Sequence, residues 1–168
     1  MDISFIVENL ERNAQKFAYE FSNLNEEELR WRPAADKWCL LEVLSHLYDE
    51  EQFDFRVRID YTLLREGEAW PAIDPQGWVE KHHYMQNSAS EVLQNFLLER
   101  RKSIEWLQNL GKMEWQKGYT HSQIGVLTAG DLLASWLAHD YLHLRQIANL
   151  KLEYLRKISA PYSLRYAG

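Results

Sequence analysis

A single cysteine, Cys39, stands in 168 residues, so no internal disulfide can brace this chain and its fold has to rest on burial. Four prolines and seven glycines are too few for a linker-rich or low-complexity protein and point to an ordinary globular one. Basic side chains are the minority, 19 against 25 acidic, which gives a formal net charge of -6. That charge repels a phosphate backbone and argues against nucleic acid as a partner. No stretch approaches the roughly 18 uninterrupted apolar residues that a membrane span requires. The opening MDISFIVENLERN lacks the basic region and long apolar run of a secretory signal, so the expected location is the cytoplasm.

What the chain does contain is 46% hydrophobic residues, with seven Trp and nine Tyr among them. This is enough for one well-buried core and short for two, so a single domain over residues 1–168 is expected. The large aromatics supply both core volume and flat walls for ligand pockets.

Apolar residues recur with the helical period in four long blocks, without period-2 alternation between them. The first block runs from about Ile3 to Phe21. The segment NLNEEELRWRPAADKW then interrupts the pattern, with a single turn after Asn25 before Pro33 imposes an extended path. A second helix is predicted from Trp38 or Cys39 to about Arg65. EGEAWPAIDPQGW, with two glycines and two prolines, marks a long irregular connection. Ser88 and Glu91 form a capping-box pattern before a third helix that reaches Leu110 and stops at Gly111. Thr128 and Asp131 form another before the fourth, which runs to about Ile158. The fold class predicted is all-α: a four-helix bundle with a long irregular connection between helices two and three.

In the fourth helix one row at the 3,4 spacing reads Leu132, Trp136, His139, His143, Ile147, Leu150, so two imidazoles lie on the face meant for the core. Residues four apart begin about 5–6 Å from each other at Cβ, close enough to converge on one ion. The comparable row of the second helix is Cys39, Val43, His46, Glu50, Phe53, Val57, Tyr61, Leu64, which turns His46 inward as well. Burying polar rings on an apolar row costs about 1–3 kcal/mol each unless something satisfies them. A cation shared by His46, His139 and His143 would do so. Glu50, one turn beyond His46, is the candidate catalytic residue: it could bind the metal, orient a ligand imidazole or act as a base, with an ion pair to Arg56 or Arg58, or simple exposure at the bundle surface, as its structural alternatives. Gln146 and Trp136 are candidates for the cofactor pocket, weighed against a helix-to-helix hydrogen bond and a core position. Asp49 and Asp140 lie off the rows and receive no more than a supporting role. His82 and His83 read as a solvated pair, and His121 as a weak candidate for pocket lining. Cys39 is about 10 Å along the helix axis from His46 and cannot share the ion.

RPAADKWCLLEVLSHLYDEEQFDFRVR resembles the first signature of the DinB-like (damage-inducible) superfamily, with an R-P, a Trp before the second helix and a helical H-L-x-x-E. GVLTAGDLLASWLAHDYLHLRQI resembles the second, a G-x-L-T connection leading into W-x-x-H-D-x-x-H-L-x-Q-I. The resemblance spans nearly the whole chain. It implies a four-helix bundle, frequently a homodimer, with a divalent metal, commonly zinc or nickel, held by His46, His139 and His143. Cys39 departs from the Ser or Thr that often starts the second helix. For activity the resemblance implies a transferase acting with a low-molecular-weight thiol on an electrophilic substrate, or a metal-dependent hydrolase. A stress-linked metal-binding or structural protein is the alternative outside enzymes.

Overall fold

In the computed structural model, which describes residues 2–167, the chain winds into helices α1 (Ile3–Phe21), α2 (Glu26–Arg30), α3 (Leu40–Phe53), α4 (Phe55–Leu64), α5 (Trp78–Lys81), α6 (Ala89–Asn109) and α7 (Ala129–Ile158). Helix α3 packs on α6, α1 on both α6 and α7, and α4 on α7, which is the four-helix bundle expected from the periodicity. None of these helices is long and apolar enough to cross a membrane.

The capping chemistry explains several of the boundaries. Asp2 accepts from the Phe5 amide at α1, and Asn25 accepts from the Glu28 amide at α2. At α7 the Thr128–Asp131 box forms in both directions, at 3.0 and 2.9 Å. At α3 the Cys39 amide donates to Glu42 at 2.9 Å. Glu42 at N3 therefore closes this cap onto the Cys39 backbone, the reciprocal half of a capping box. The box expected from Ser88 and Glu91 does not form: Ser88 pairs with the Ser90 hydroxyl instead.

Two features depart from the sequence-based expectation. The predicted second helix is broken at Asp54, whose backbone (φ -114°, ψ -96°) leaves the helical region. The break re-aims the core face, so that Ile59, Thr62 and Leu63 are buried while Phe53 and Leu64 are exposed. Residues predicted to share one continuous row therefore do not. No Pro or Gly marks the position, and the 2.6 Å pair of Asp54 with Arg58 keeps the helical i,i+4 spacing across it. The second departure is a β-hairpin, β1 (Gly118–His121) paired antiparallel with β2 (Gly125–Thr128), where period-2 alternation was not expected. Tyr119 on β1 stacks on Trp70 at 4.1 Å, fixing the hairpin over the end of α4. Four-residue strands are too short for alternation to register against the helical pattern.

The apolar interior forms two clusters. One gathers Leu10, Ile59, Leu133 and Trp136; the other gathers Phe17, Val43, Phe96 and Ile147. Between them lies a charged layer centred on Arg100, which is only 2% exposed. Its guanidinium donates to both oxygens of Asp140 at 2.7 and 2.8 Å, to Glu51 at 2.9 Å and to the Leu10 carbonyl at 3.2 Å. The Trp136 indole also donates to Glu51, at 3.2 Å. Asp140 is thus a central structural residue and not merely a flanking one. Replacing Arg100 by Met would strand two buried carboxylates, and the expected loss is about 3–5 kcal/mol. Arg101→Met on the exposed side of α6 should change stability by less than about 0.5 kcal/mol. Urea denaturation of the metal-free protein measures both, and similar midpoints for the two variants would refute the ranking.

Candidate metal centre

His46 comes from the middle of α3, and His139 and His143 from successive turns of α7. One potential ligand atom from each lies within 4.8 Å of the other two. The ring centroids of His46 stand 5.5 Å from His139 and 5.0 Å from His143. The two α7 rings approach more closely, Nε2 to Nε2 at 3.0 Å. Two nitrogens bound to one tetrahedral zinc at about 2.0–2.1 Å would stand roughly 3.3 Å apart, so this pair needs little movement to share a cation.

The surroundings prepare the rings for that role. Gln146 Oε1 accepts from His143 Nδ1 at 2.8 Å, which places the proton on Nδ1 and leaves the Nε2 lone pair turned toward His139. His46 Nδ1 is buried without a hydrogen-bond partner, an arrangement that costs about 1–3 kcal/mol when nothing satisfies the ring. Burial holds His46 down to about 3, with His143 adding repulsion. Burial likewise holds His139 down to about 2, helped by the two other imidazoles and the Arg100 charge. His143 is lowered by burial too, against the opposing pull of Gln146 and Asp140. All three are therefore neutral near pH 7, the state that a metal ligand requires. The donor set, the converging Nε2 pair and the orphaned Nδ1 fit a divalent cation.

Aromatic rings enclose the cluster. Trp38 lies 4.9 Å from His46, and Phe55, just beyond the α3–α4 break, lies 5.2 Å from His139. Phe55 also stacks on Trp136 at 5.7 Å. Trp136 itself is almost fully buried with its indole N–H committed to Glu51, so it forms the core wall behind His139. Gln146, by contrast, reaches both the cluster and a cleft of about 510 Å³ that also includes Trp38, Lys37, Arg145 and Asn149.

Glu50 is buried, 3.8 Å from His46 Nδ1. Neither expected arginine pairs with it: Arg58 meets Asp54 and Arg56 meets Glu99. Burial pushes the Glu50 carboxyl up to about 9, reinforced by the charge of Asp54 and a hydrogen bond to it, with Arg58 opposing. Asp54 is raised by burial as well. Asp54 lies one helical turn beyond Glu50, a spacing that the row analysis of the second helix passed over.

The remaining histidines lie elsewhere. His82 is not solvated as expected but is tied to buried Asp49 at 2.7 Å, while His83 is exposed. His121 sits on the hairpin, 6.0 Å from Trp70. Cys39 is fully buried, its sulfur 3.5 Å from that of Met85.

The depressed imidazoles set a direction for stability. Below about pH 6.5 the unfolded chain binds protons that the folded rings refuse, so stability falls with falling pH. Glu50 acts oppositely: its contribution is full below about 4.5 and is lost as pH rises through about 9. Glu51 and Asp54, also raised by burial, act in the same sense as Glu50, so the share of the three rings is read as a difference: between pH 6 and 5 the metal-free protein should lose about 1–3 kcal/mol more than a His46→Gln/His139→Gln/His143→Gln variant. Denaturant titrations of both proteins at these two pH values test the sign; an equal or smaller loss in the wild type would contradict it.

Comparison with known proteins agrees with this architecture. No curated protein sequence matches the chain. Among solved structures it is similar to YfiT from Bacillus subtilis, described as a probable metal-dependent hydrolase with an unusual four-helix bundle topology. The TM-score is 0.79 at 18% sequence identity, covering 93% of this chain and 87% of that one. The family model of the DinB superfamily matches residues 9–147, a span that contains α3, the break at Asp54 and all three clustered histidines. The chain belongs to the DinB superfamily.

Proposed function

We propose that this protein is a divalent-metal-dependent enzyme, with His46, His139 and His143 as the ligands of zinc or nickel, that transfers a low-molecular-weight thiol to an electrophile. The observation that carries the reading is the convergence of three neutral imidazoles without a fourth His, Cys, Asp or Glu in the group. Structural zinc sites usually close with four protein ligands, whereas catalytic ones keep a position for water or substrate. A cation held there would supply Lewis acidity, lowering the pKa of a bound thiol or water toward neutrality.

The chain's own groups perform the other tasks. Gln146 holds the His143 ring in register through Nδ1. Trp38 and Gln146 connect the cluster to the neighbouring cleft, whose Lys37 and Arg145 suit carboxylates on a small thiol. Phe55 and Trp136 keep water from the inner side of His139. Glu50 holds a proton beside His46 and exchanges it with Asp54, the route by which the site would release or accept a proton, while Arg58 pairs with the Asp54 carboxylate.

Hydrolysis is the second reading, supported by the description of YfiT; water would take the place of the thiol, and an ester or amide that of the electrophile. The expected result for the wild type is one zinc or nickel per chain by elemental analysis and thiol-dependent turnover of a model electrophile such as 1-chloro-2,4-dinitrobenzene. His46→Ala, His139→Ala and His143→Ala should each lose turnover at least a hundredfold and bind substoichiometric metal. Turnover of p-nitrophenyl acetate without thiol would favour hydrolysis. Full metal occupancy in all three variants would overturn the ligand assignment. A metal-loaded wild type with a raised melting temperature but neither activity would point to a stabilising role.

A further inference from the structure

A second constellation lies on a different side of α3 from the histidine cluster. Asp49 is 5% exposed, yet both of its side-chain hydrogen bonds fall on one oxygen: Tyr84 donates to Oδ2 at 2.6 Å and His82 Nδ1 contacts it at 2.7 Å. Oδ1 receives no protein hydrogen bond among the described residues and is not one of the buried atoms left without a partner, so it faces the open space of the pocket and not the packed interior. Asp49 lines a pocket of about 430 Å³ between α3, the 78–86 segment and the start of α6.

The composition of the wall selects a ligand class. Asp49 and Glu91 are the acids in the lining, and neither Lys nor Arg accompanies them. Tyr48 and Phe53 offer ring faces, which attract cations as well as apolar groups. Asn87 and Gln52 offer amide oxygens that accept further hydrogen bonds. Among the described residues no second group of three metal-ligating side chains comes together, so a bare metal ion is a poor match. An anion would meet two carboxylates and no arginine or lysine. His82 and Tyr84 hold the Asp49 side chain in one orientation, a preorganisation that lowers the cost of binding.

We infer that this pocket is a binding site for a small organic primary ammonium, with Asp49 Oδ1 receiving the ammonium and Tyr48 and Phe53 enclosing its apolar body. The site is independent of the metal-centre reading, since its lining contains none of the three clustered histidines.

The test uses benzylammonium chloride as the probe, with benzyl alcohol and benzoate as controls that keep the ring and change the charge. Titration of the full chain at pH 7 is followed through the side-chain amide resonances of Gln52, Asn87 and Asn95. Benzylammonium should give saturable shifts, and both controls should bind at least tenfold more weakly. Asp49→Asn should weaken benzylammonium at least tenfold. That variant also alters the bonds to His82 and Tyr84, so Gln52→Lys serves as the second: it brings a competing ammonium to the wall and leaves Asp49 in place. It too should weaken binding at least tenfold, while His139→Ala should leave it unchanged. Absence of saturable shifts, equal binding of all three probes, or undiminished binding by Gln52→Lys would overturn the proposal.

Discussion

Arg100 carries its charge to a level of the bundle where water has little access, between the rings of Phe96 and Trp136 at 5.2 and 5.7 Å. Several kcal/mol of desolvation are offset there only while Asp140 of α7, Glu51 of α3 and the Leu10 carbonyl of α1 all stay within hydrogen-bond reach. One guanidinium from α6 therefore fixes the register of the other three long elements. Apolar clusters above and below can tolerate small slides, since hydrophobic burial is non-directional. A fork of N–H donors cannot.

The same layer determines where the histidines stand. Asp140 follows His139 directly, and Glu51 follows Glu50, so anchoring Asp140 and Glu51 to Arg100 sets the rotation of α7 and α3 at the level of the cluster. The positive charge of Arg100 also reaches His139 and helps to keep that ring unprotonated. On the other side, Phe55, just past the break at Asp54, lies against His139, and Asp54 sets a second carboxyl one helical turn from Glu50. Core stability and site geometry are thus two consequences of one polar stratum, lying between the apolar clusters.

Much of this was legible in the chain as a string. Helical period and caps located the long elements, and the Thr128–Asp131 box placed the start of α7 where the structure has it. The row of Leu132, Trp136, His139, His143 and Ile147 is a property of the 3.6-residue repeat, so an inward pair of imidazoles could be read without coordinates. The errors share a cause. The pair of Asp54 with Arg58, the tie between Asp49 and His82, and the pairing of Arg100 with Asp140 depend on contacts between residues 4 to 40 positions apart, of which only the shortest could be sought within a helical turn. Ser88 shows the converse, a correct local pattern in which the hydroxyl found a nearer partner.

By itself, then, the order of residues determined helix content, the four long amphipathic segments, and the three imidazoles turned toward a common interior, because periodicity and capping act over a few residues at a time. The tertiary structure alone decided which acid faces which base: it set Arg56 on Glu99, Arg58 on Asp54 and Arg100 on Asp140, leaving Glu50 protonated and uncommitted to any arginine. The physical reason is that an ion pair or a titration shift is fixed by distance and desolvation in three dimensions, and neither quantity is written in sequence spacing.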